Sequence, residues 1–176
     1  RENAPDTEVP QSARILAIAS GKGGVGKSSV TVNLAAAIAA KGYTVGVLDA
    51  DIWGFSIPRM LGVDKKPEVN AERKILPPVA ESGVVTMSMG YFVNDNAAVV
   101  WRGAMLHKAL QQFLEDVAWG ELDYLLLDLP PGTGDVAMSM AQLLPQAKIA
   151  IVTTPQPAAQ SVAARSAEMS AKVDVE

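Results

Sequence analysis

A glycine-rich segment near the amino terminus carries the residues with the clearest chemical meaning. Gly21, Gly26, Lys27 and Ser28 satisfy the pattern G-x-x-x-x-G-K-[ST]. Glycines let successive backbone N–H groups turn toward one anion, while the lysine can reach the β- and γ-phosphates of a nucleotide and the serine hydroxyl can bind Mg²⁺. We therefore predict a phosphate-binding loop. Its predicted contacts come from consecutive residues: Gly21, Lys22, Gly23, Gly24, Val25, Gly26, Lys27, Ser28 and Ser29.

Acidic residues follow two apolar segments and could supply the oxygen ligands that a nucleotide-bound Mg²⁺ needs. Asp49 and Asp51 come directly after the run 43–48, and Asp128 follows a run of three leucines. If both runs are parallel strands, their carboxyl ends meet at the edge of the sheet that also carries the glycine loop. The sequence therefore predicts a Mg²⁺ shell formed by Ser28, Asp128 and Asp49.

The segments around these residues alternate between strand and helix patterns. The apolar run 14–20 predicts a buried strand before the loop. After the loop, Val30, Leu34 and Ile38 recur every four residues in an alanine-rich segment, which predicts a helix buried on that face. Further strands are predicted near 43–48, 84–89, 122–128 and 148–153, and further helices near 106–117, 136–144 and 160–171. This alternation predicts an α/β fold of three α/β/α layers around a mostly parallel, doubly wound sheet, as in P-loop NTPases.

The composition restricts the function further. The chain has 176 residues, 49% of them hydrophobic, a formal net charge of −4 and no cysteine. This length suits one core, which we place in residues 13–176, with residues 1–12 as a linker or tail and the domain incomplete at its carboxyl terminus. Without cysteine there is no thiolate ligand or nucleophile. No basic block and no apolar run of membrane length occurs, so we expect no nucleic-acid partner, no membrane partner and a cytoplasmic location.

A dinucleotide-binding protein is an alternative interpretation of the same glycines. Gly21, Gly23 and Gly26 also satisfy G-x-G-x-x-G, and Asp49 follows at the distance expected for an acid that binds a ribose. However, a dinucleotide site needs neither the cation of Lys27 nor a second acid suited to Mg²⁺, such as Asp128. A magnesium–nucleotide site is therefore the better interpretation.

The lysine at position 22 indicates a family resemblance. A second lysine directly after the first glycine resembles the deviant Walker A loop of the MinD/ParA/nitrogenase iron protein superfamily. Within that superfamily, segments 48–58, 101–103 and 122–135 are most similar to the Mrp family of iron–sulfur cluster carrier ATPases. The last segment is the most specific, because a double proline and Gly-Thr-Gly-Asp follow its predicted strand. The resemblance extends over about residues 13–172.

This resemblance implies an ATPase that converts ATP to ADP and phosphate with Mg²⁺ and acts as a homodimer. The implied catalytic residues are Lys22, Lys27 and Asp51. Lys22 would complete the partner's site in trans, Asp51 would position the attacking water, and Gly132 would sense the γ-phosphate through its backbone N–H. Family members also carry an iron–sulfur cluster on a Cys-x-x-Cys motif and pass it to apo acceptor proteins. The absence of cysteine means that no cluster ligand is assigned to this chain.

Two other function classes remain open from the sequence. A ParA/MinD-type positioning ATPase would act as a switch on DNA or membrane cargo. It should show a basic patch or a basic amphipathic terminal helix, and the sequence shows neither. The third class is a nucleotide-binding fragment without turnover, which follows if a downstream segment completes the sheet and the adenine pocket.

Overall fold

A computed structural model describes residues 7–51, 56–92, 103–132 and 135–172. Positions 52–55, 101–102 and 133–134 of the segments that carry the family resemblance lie outside these ranges. The strands are β1 Arg14–Ser20, β2 Val45–Asp49, β3 Glu68–Val69, β4 Ile75–Leu76, β5 Val85–Ser88, β6 Tyr124–Asp128 and β7 Lys148–Val152. The α-helices are α1 Lys27–Ala40, α2 Ile57–Met60, α3 Gly103–Asp116, α4 Asp135–Leu143 and α5 Pro157–Lys172, and residues Met89–Phe92 form a 3₁₀ turn.

Five strands form one parallel sheet in the order β5-β2-β6-β1-β7. One face packs against α3 and α4 through a cluster that includes Leu110 and Met140. The other face packs against α1 and α2 through a cluster that includes Ala35 and Ile57. The described chain therefore has the predicted three layers, because strands that run as continuous apolar segments must be covered on both faces.

The predicted buried face of α1 is only partly correct, because Leu34 and Ile38 pack against the core cluster but Val30 does not. Val30 is 44% exposed, and Leu34 and Ile38 are only partly buried. The buried residues are Lys27, Thr31 and Ala35, which lie one turn apart on the face toward the sheet. Small side chains let an alanine-rich helix approach a sheet closely, so the bulky residues end up along its flanks. As a result, the first turns of α1 place the polar side chains of Lys27 and Thr31, rather than Val30, against the ends of the strands.

The segments outside the main sheet are partly integrated into the core. Val9 is buried in the same cluster as α3, and the backbone N–H of Glu8 donates to the carbonyl of Leu114 over 2.9 Å. Residues 7–9 therefore lie against α3. Residues 62–82 are mostly exposed, and they contain the two-residue β3–β4 pair.

None of the helices in the part of the chain that the structure describes combines the length and the apolar character needed to cross a membrane.

Candidate functional site

The glycine loop connects the carboxyl end of β1 to the first residue of α1. Gly24 and Gly26 have φ values of 76° and 89°, in the left-handed region that glycine adopts without strain. A side chain at Gly23 or Gly24 would meet nothing within 4 Å, so the loop wall is open. The loop lines a cavity of about 220 Å³. Its lining residues are Ser20, Gly23, Gly24, Gly26, Lys27, Ser28, Ser29, Asp51, Ser56, Met60 and Pro131.

The sheet register places the predicted acids in one row beneath α1. Asp49 is paired with Asp128 on one side and with Ser88 on the other. The residues that precede the two acids, Leu48 and Leu127, pack into the cluster beneath α3 and α4. Because side chains alternate along a strand, the two aspartates point to the opposite face, where α1 begins.

The first turn of α1 and the end of β6 form a buried polar network. The Lys27 ammonium lies 2.8 Å from Asp128 Oδ1 and 3.5 Å from Asp51 Oδ2. The Ser28 hydroxyl donates to Asp128 Oδ2 over 2.7 Å, and the Thr31 hydroxyl lies 3.0 Å from Asp128 Oδ1. Lys27 is 6% exposed and Asp128 is fully buried. The structure thus brings together Lys27, Ser28, Asp51 and Asp128, and it adds Thr31, which no sequence motif indicated.

Asp49 lies in the row of acids, but its carboxylate is directed toward backbone groups. Its two oxygens accept hydrogen bonds from the N–H groups of Asp51 and Ile57 and from the hydroxyl of Ser88, over 3.2–3.3 Å. The same carboxylate therefore holds both ends of the connection between β2 and α2. Burial, and then the negative charge of Asp128, raise the pKa of Asp49 to about 7. Its predicted place in a Mg²⁺ shell remains a prediction.

Of the two remaining predicted residues, Gly132 is hydrogen-bonded to the end of β1, and Lys22 is exposed. The N–H of Gly132 donates to the carbonyl of Ser20 over 3.0 Å, and its φ of 143° lies in the range that favours glycine. The predicted sensing of a γ-phosphate by this N–H would require that hydrogen bond to break. Lys22 is exposed at the loop surface, where it could reach a second molecule.

The oxygen atoms at the end of β6 suit a Mg²⁺ ion. Ser28 Oγ and Asp128 Oδ2 are hard ligands that already lie 2.7 Å apart. Mg²⁺ in nucleotide sites commonly takes one or two protein oxygens and completes its octahedron with water and phosphate oxygens. Within the described ranges, no group of three or more His, Asp or Glu side chains forms an all-protein metal cage. The residues present therefore fit a Mg²⁺ that arrives with a nucleotide.

We expect Gly21→Ala to destabilise the protein through α5. A Cβ at position 21 would collide with Val162 Cγ1, so the loop or the helix would have to shift. The loss should be on the order of 1–3 kcal/mol, as for other overpacked sites. Urea denaturation measures it, and the double variant Gly21→Ala/Val162→Ala should recover part of the loss because Cγ1 is then absent. Equal instability of the single and double variants would contradict this packing argument.

The buried carboxyl group of Asp49 should make the stability of the ligand-free protein depend on pH. Its pKa is about 7 in the folded protein against 3.8 in a model peptide. Between these values the folded protein holds a proton that the unfolded chain has released, so the free energy of unfolding should fall by a few kcal/mol as the pH rises from about 4 to about 7. Urea denaturation across this range should show a weaker pH dependence for Asp49→Asn. Parallel profiles for both proteins would rule out this origin.

The chain is similar to known proteins over most of its length. A family model described as ParA, NUBPL iron-transfer P-loop NTPase, matches residues 11–176. The chain is 62% identical over 152 residues to the iron-sulfur cluster carrier protein of Mycobacterium leprae, covering 86% of this chain and 39% of that protein. It is 56% identical over 161 residues to the iron-sulfur cluster carrier protein of Bacillus subtilis, covering 92% of this chain and 45% of that protein. The chain thus spans less than half the length of these curated relatives.

Solved structures share the fold. A nucleotide-binding protein from Archaeoglobus fulgidus in complex with ADP is 38% identical, with a TM-score of 0.77 over 93% of this chain and 63% of that one. The cell division ATPase MinD of Pyrococcus furiosus is 24% identical, with a TM-score of 0.66 over 93% of this chain and 68% of that one. The second similarity concerns the fold alone.

Proposed function

Because the chain belongs to the ParA family of NUBPL iron-transfer P-loop NTPases, we propose that it is the ATP-binding and ATP-hydrolysing part of an iron–sulfur cluster carrier. The proposal is supported by identities of 62% and 56% to proteins named as such carriers. It is also supported by the similarity to a structure that contains ADP. The observation that carries the nucleotide chemistry is the convergence of Lys27, Ser28 and Asp128 beneath an open glycine loop.

In the proposed reaction, the residues of the loop supply charge and orientation rather than covalent chemistry. The loop N–H groups and Lys27 hold the phosphates of ATP, while the positive end of the α1 dipole favours the same anion. In this structure the Lys27 ammonium is held by the carboxylates of Asp128 and Asp51. Phosphate oxygens therefore replace carboxylate oxygens around the lysine, so the ammonium is not left unpaired in either state.

In this proposal the two acids Asp128 and Asp51 have different functions, binding Mg²⁺ and orienting water. Ser28 and Asp128 would hold Mg²⁺, which would neutralise charge on the β- and γ-phosphates. Asp51 is partly exposed beside the cavity and 3.5 Å from Lys27, so it can orient an attacking water. Lys22 adds a positive charge to the site of a second subunit, and Gly132 donates its N–H to the γ-phosphate after leaving Ser20.

Cluster carriage belongs to the whole protein in this proposal. The cluster is cargo, and its ligands come from outside this chain because the chain contains no cysteine. The working unit is a homodimer in the cytoplasm that gives the cluster to apo acceptor proteins. Nucleotide hydrolysis in this part of the protein would then set when the cluster is loaded or released.

The test is cluster transfer by the full-length protein. It is reconstituted anaerobically with iron and sulfide, its iron content and absorbance are recorded, and transfer to an apo acceptor is followed with and without Mg-ATP. A cluster held by a dimer and transferred in an ATP-dependent manner supports the carrier function. ATP hydrolysis without any bound cluster overturns it and favours a positioning ATPase, for which binding to DNA or vesicles is the next measurement.

A further inference from the structure

Three donors from the start of α1 meet one carboxylate at the end of β6. Asp128 Oδ2 accepts from Ser28, while Oδ1 lies 2.8 Å from the Lys27 ammonium and 3.0 Å from the Thr31 hydroxyl. Thr31 is completely buried one turn after Lys27. The two oxygens of Asp128 therefore have separate donors. Lys27, which is proposed to bind phosphate, is a donor to Oδ1 only.

Lys27 and Thr31 differ in whether they can leave Asp128 when a nucleotide binds. In the proposed function Lys27 turns to the phosphates of ATP and leaves Asp128. The Thr31 hydroxyl is fixed in the core, so it is the donor among the described residues that remains beside Oδ1. A buried carboxylate oxygen that loses its donors is strongly destabilised, and the carboxylate would rotate to regain one. Such rotation would turn Oδ2 away from Ser28 and from the Mg²⁺ that the two residues hold.

We propose that Thr31 is a positioning residue that keeps the Asp128 carboxylate oriented toward Mg²⁺ when Lys27 binds phosphate. This inference rests on the proposed nucleotide function and adds to it a residue outside the loop motif. A purely structural role would instead use the Thr31 hydroxyl to cap the Lys27 carbonyl, which lies 3.1 Å away. The two roles can be distinguished by measurement. If Thr31 orients Asp128, its loss changes the Mg²⁺ requirement without changing nucleotide binding in the absence of Mg²⁺.

The experiment is a titration of a fluorescent ADP analogue on the full-length protein, first in EDTA and then with increasing Mg²⁺. Thr31→Val replaces the hydroxyl with a methyl group of similar size. It should leave the affinity in EDTA within about twofold of the unmodified protein, and it should raise the Mg²⁺ concentration for half-maximal tightening about tenfold, the expected effect of losing a hydrogen bond to a charged group. Thr31→Ser retains the hydroxyl and should restore the low Mg²⁺ requirement.

Asn33→Ala is the matched control. Its side chain also donates to a carbonyl four residues earlier, that of Ser29 over 2.8 Å, but on the exposed side of α1. This variant should keep the original Mg²⁺ requirement. If Thr31→Val does not fold, Thr31→Ala is titrated in its place with the same expectation.

Each result decides one question. An unchanged Mg²⁺ requirement in Thr31→Val, or an equal loss of affinity with and without Mg²⁺, overturns the positioning role while leaving the nucleotide site intact. Failure of Thr31→Ser to restore the requirement also overturns it. An unmodified protein that binds no ADP analogue at any Mg²⁺ concentration contradicts the proposed function itself.

Discussion

Replacing Lys27 with methionine should abolish ATP hydrolysis and also destabilise the protein without any ligand. Turnover should fall by at least about a thousandfold, because the phosphates lose the cation that offsets their charge. The effect on stability comes from Asp128, which is fully buried and lies 2.8 Å from the ammonium of Lys27. Removing one partner of a buried ion pair leaves an uncompensated charge, which costs about 3–5 kcal/mol. Steady-state phosphate release and urea denaturation measure the two effects.

The second lysine of the loop provides the control. Lys22→Met removes the same charge from an exposed position, so the free energy of unfolding should change by less than about 0.5 kcal/mol. The double variant Lys27→Met/Asp128→Asn should recover stability without recovering hydrolysis, because no buried charge is then left unpaired. If Lys27→Met unfolds at the same urea concentration as Lys22→Met, the buried pair does not stabilise the ligand-free protein.

The sequence identifies the loop and its acids because their chemistry requires fixed residue types at fixed spacing. Four glycines followed by Lys27 and Ser28 are typical of a phosphate-binding loop, and an acid directly after a run of leucines is placed by the strand itself. The three layers follow from continuous apolar runs that alternate with helices. These features are local in the chain, so they are visible in the sequence.

The features that the sequence does not reveal depend on contacts between distant segments. The buried face of α1 is ambiguous in the sequence because apolar residues occur on every side of the helix. The choice of Lys27, Thr31 and Ala35 as the buried line therefore depends on packing against the sheet. Thr31 gains its significance only when that face is known, since Asp128 is 97 residues away. The hydrogen bond from the Ile57 N–H to Asp49 likewise forms only because Ile57 lies beside the end of β2, eight residues after Asp49 in the chain.

Because Lys22 is exposed, it can act on the nucleotide site of the partner subunit, and the activity of paired variants tests this action in trans. Lys22→Ala and Asp51→Asn should each be nearly inactive as pure proteins under the proposed mechanism. Lys22→Ala lacks the charge supplied to the partner's phosphates, and Asp51→Asn lacks the carboxylate that orients water. Asp51 lies beside Lys27 of its own chain, 3.5 Å from the ammonium, so its contribution is made within one subunit.

Mixing the two inactive variants should therefore restore activity. In a mixed dimer, the Lys22→Ala subunit keeps its own Asp51 and receives Lys22 from its partner, which makes one complete site. With equal amounts and free exchange of subunits, half of the dimers are mixed and each has one active site of two, so phosphate release should reach about a quarter of the unmodified rate. Mixing Lys27→Met with Asp51→Asn is the control and should stay inactive, because both residues serve the same subunit's site. If Lys22 acts within its own subunit, the first mixture stays inactive as well, since each site of a mixed dimer then lacks one essential group.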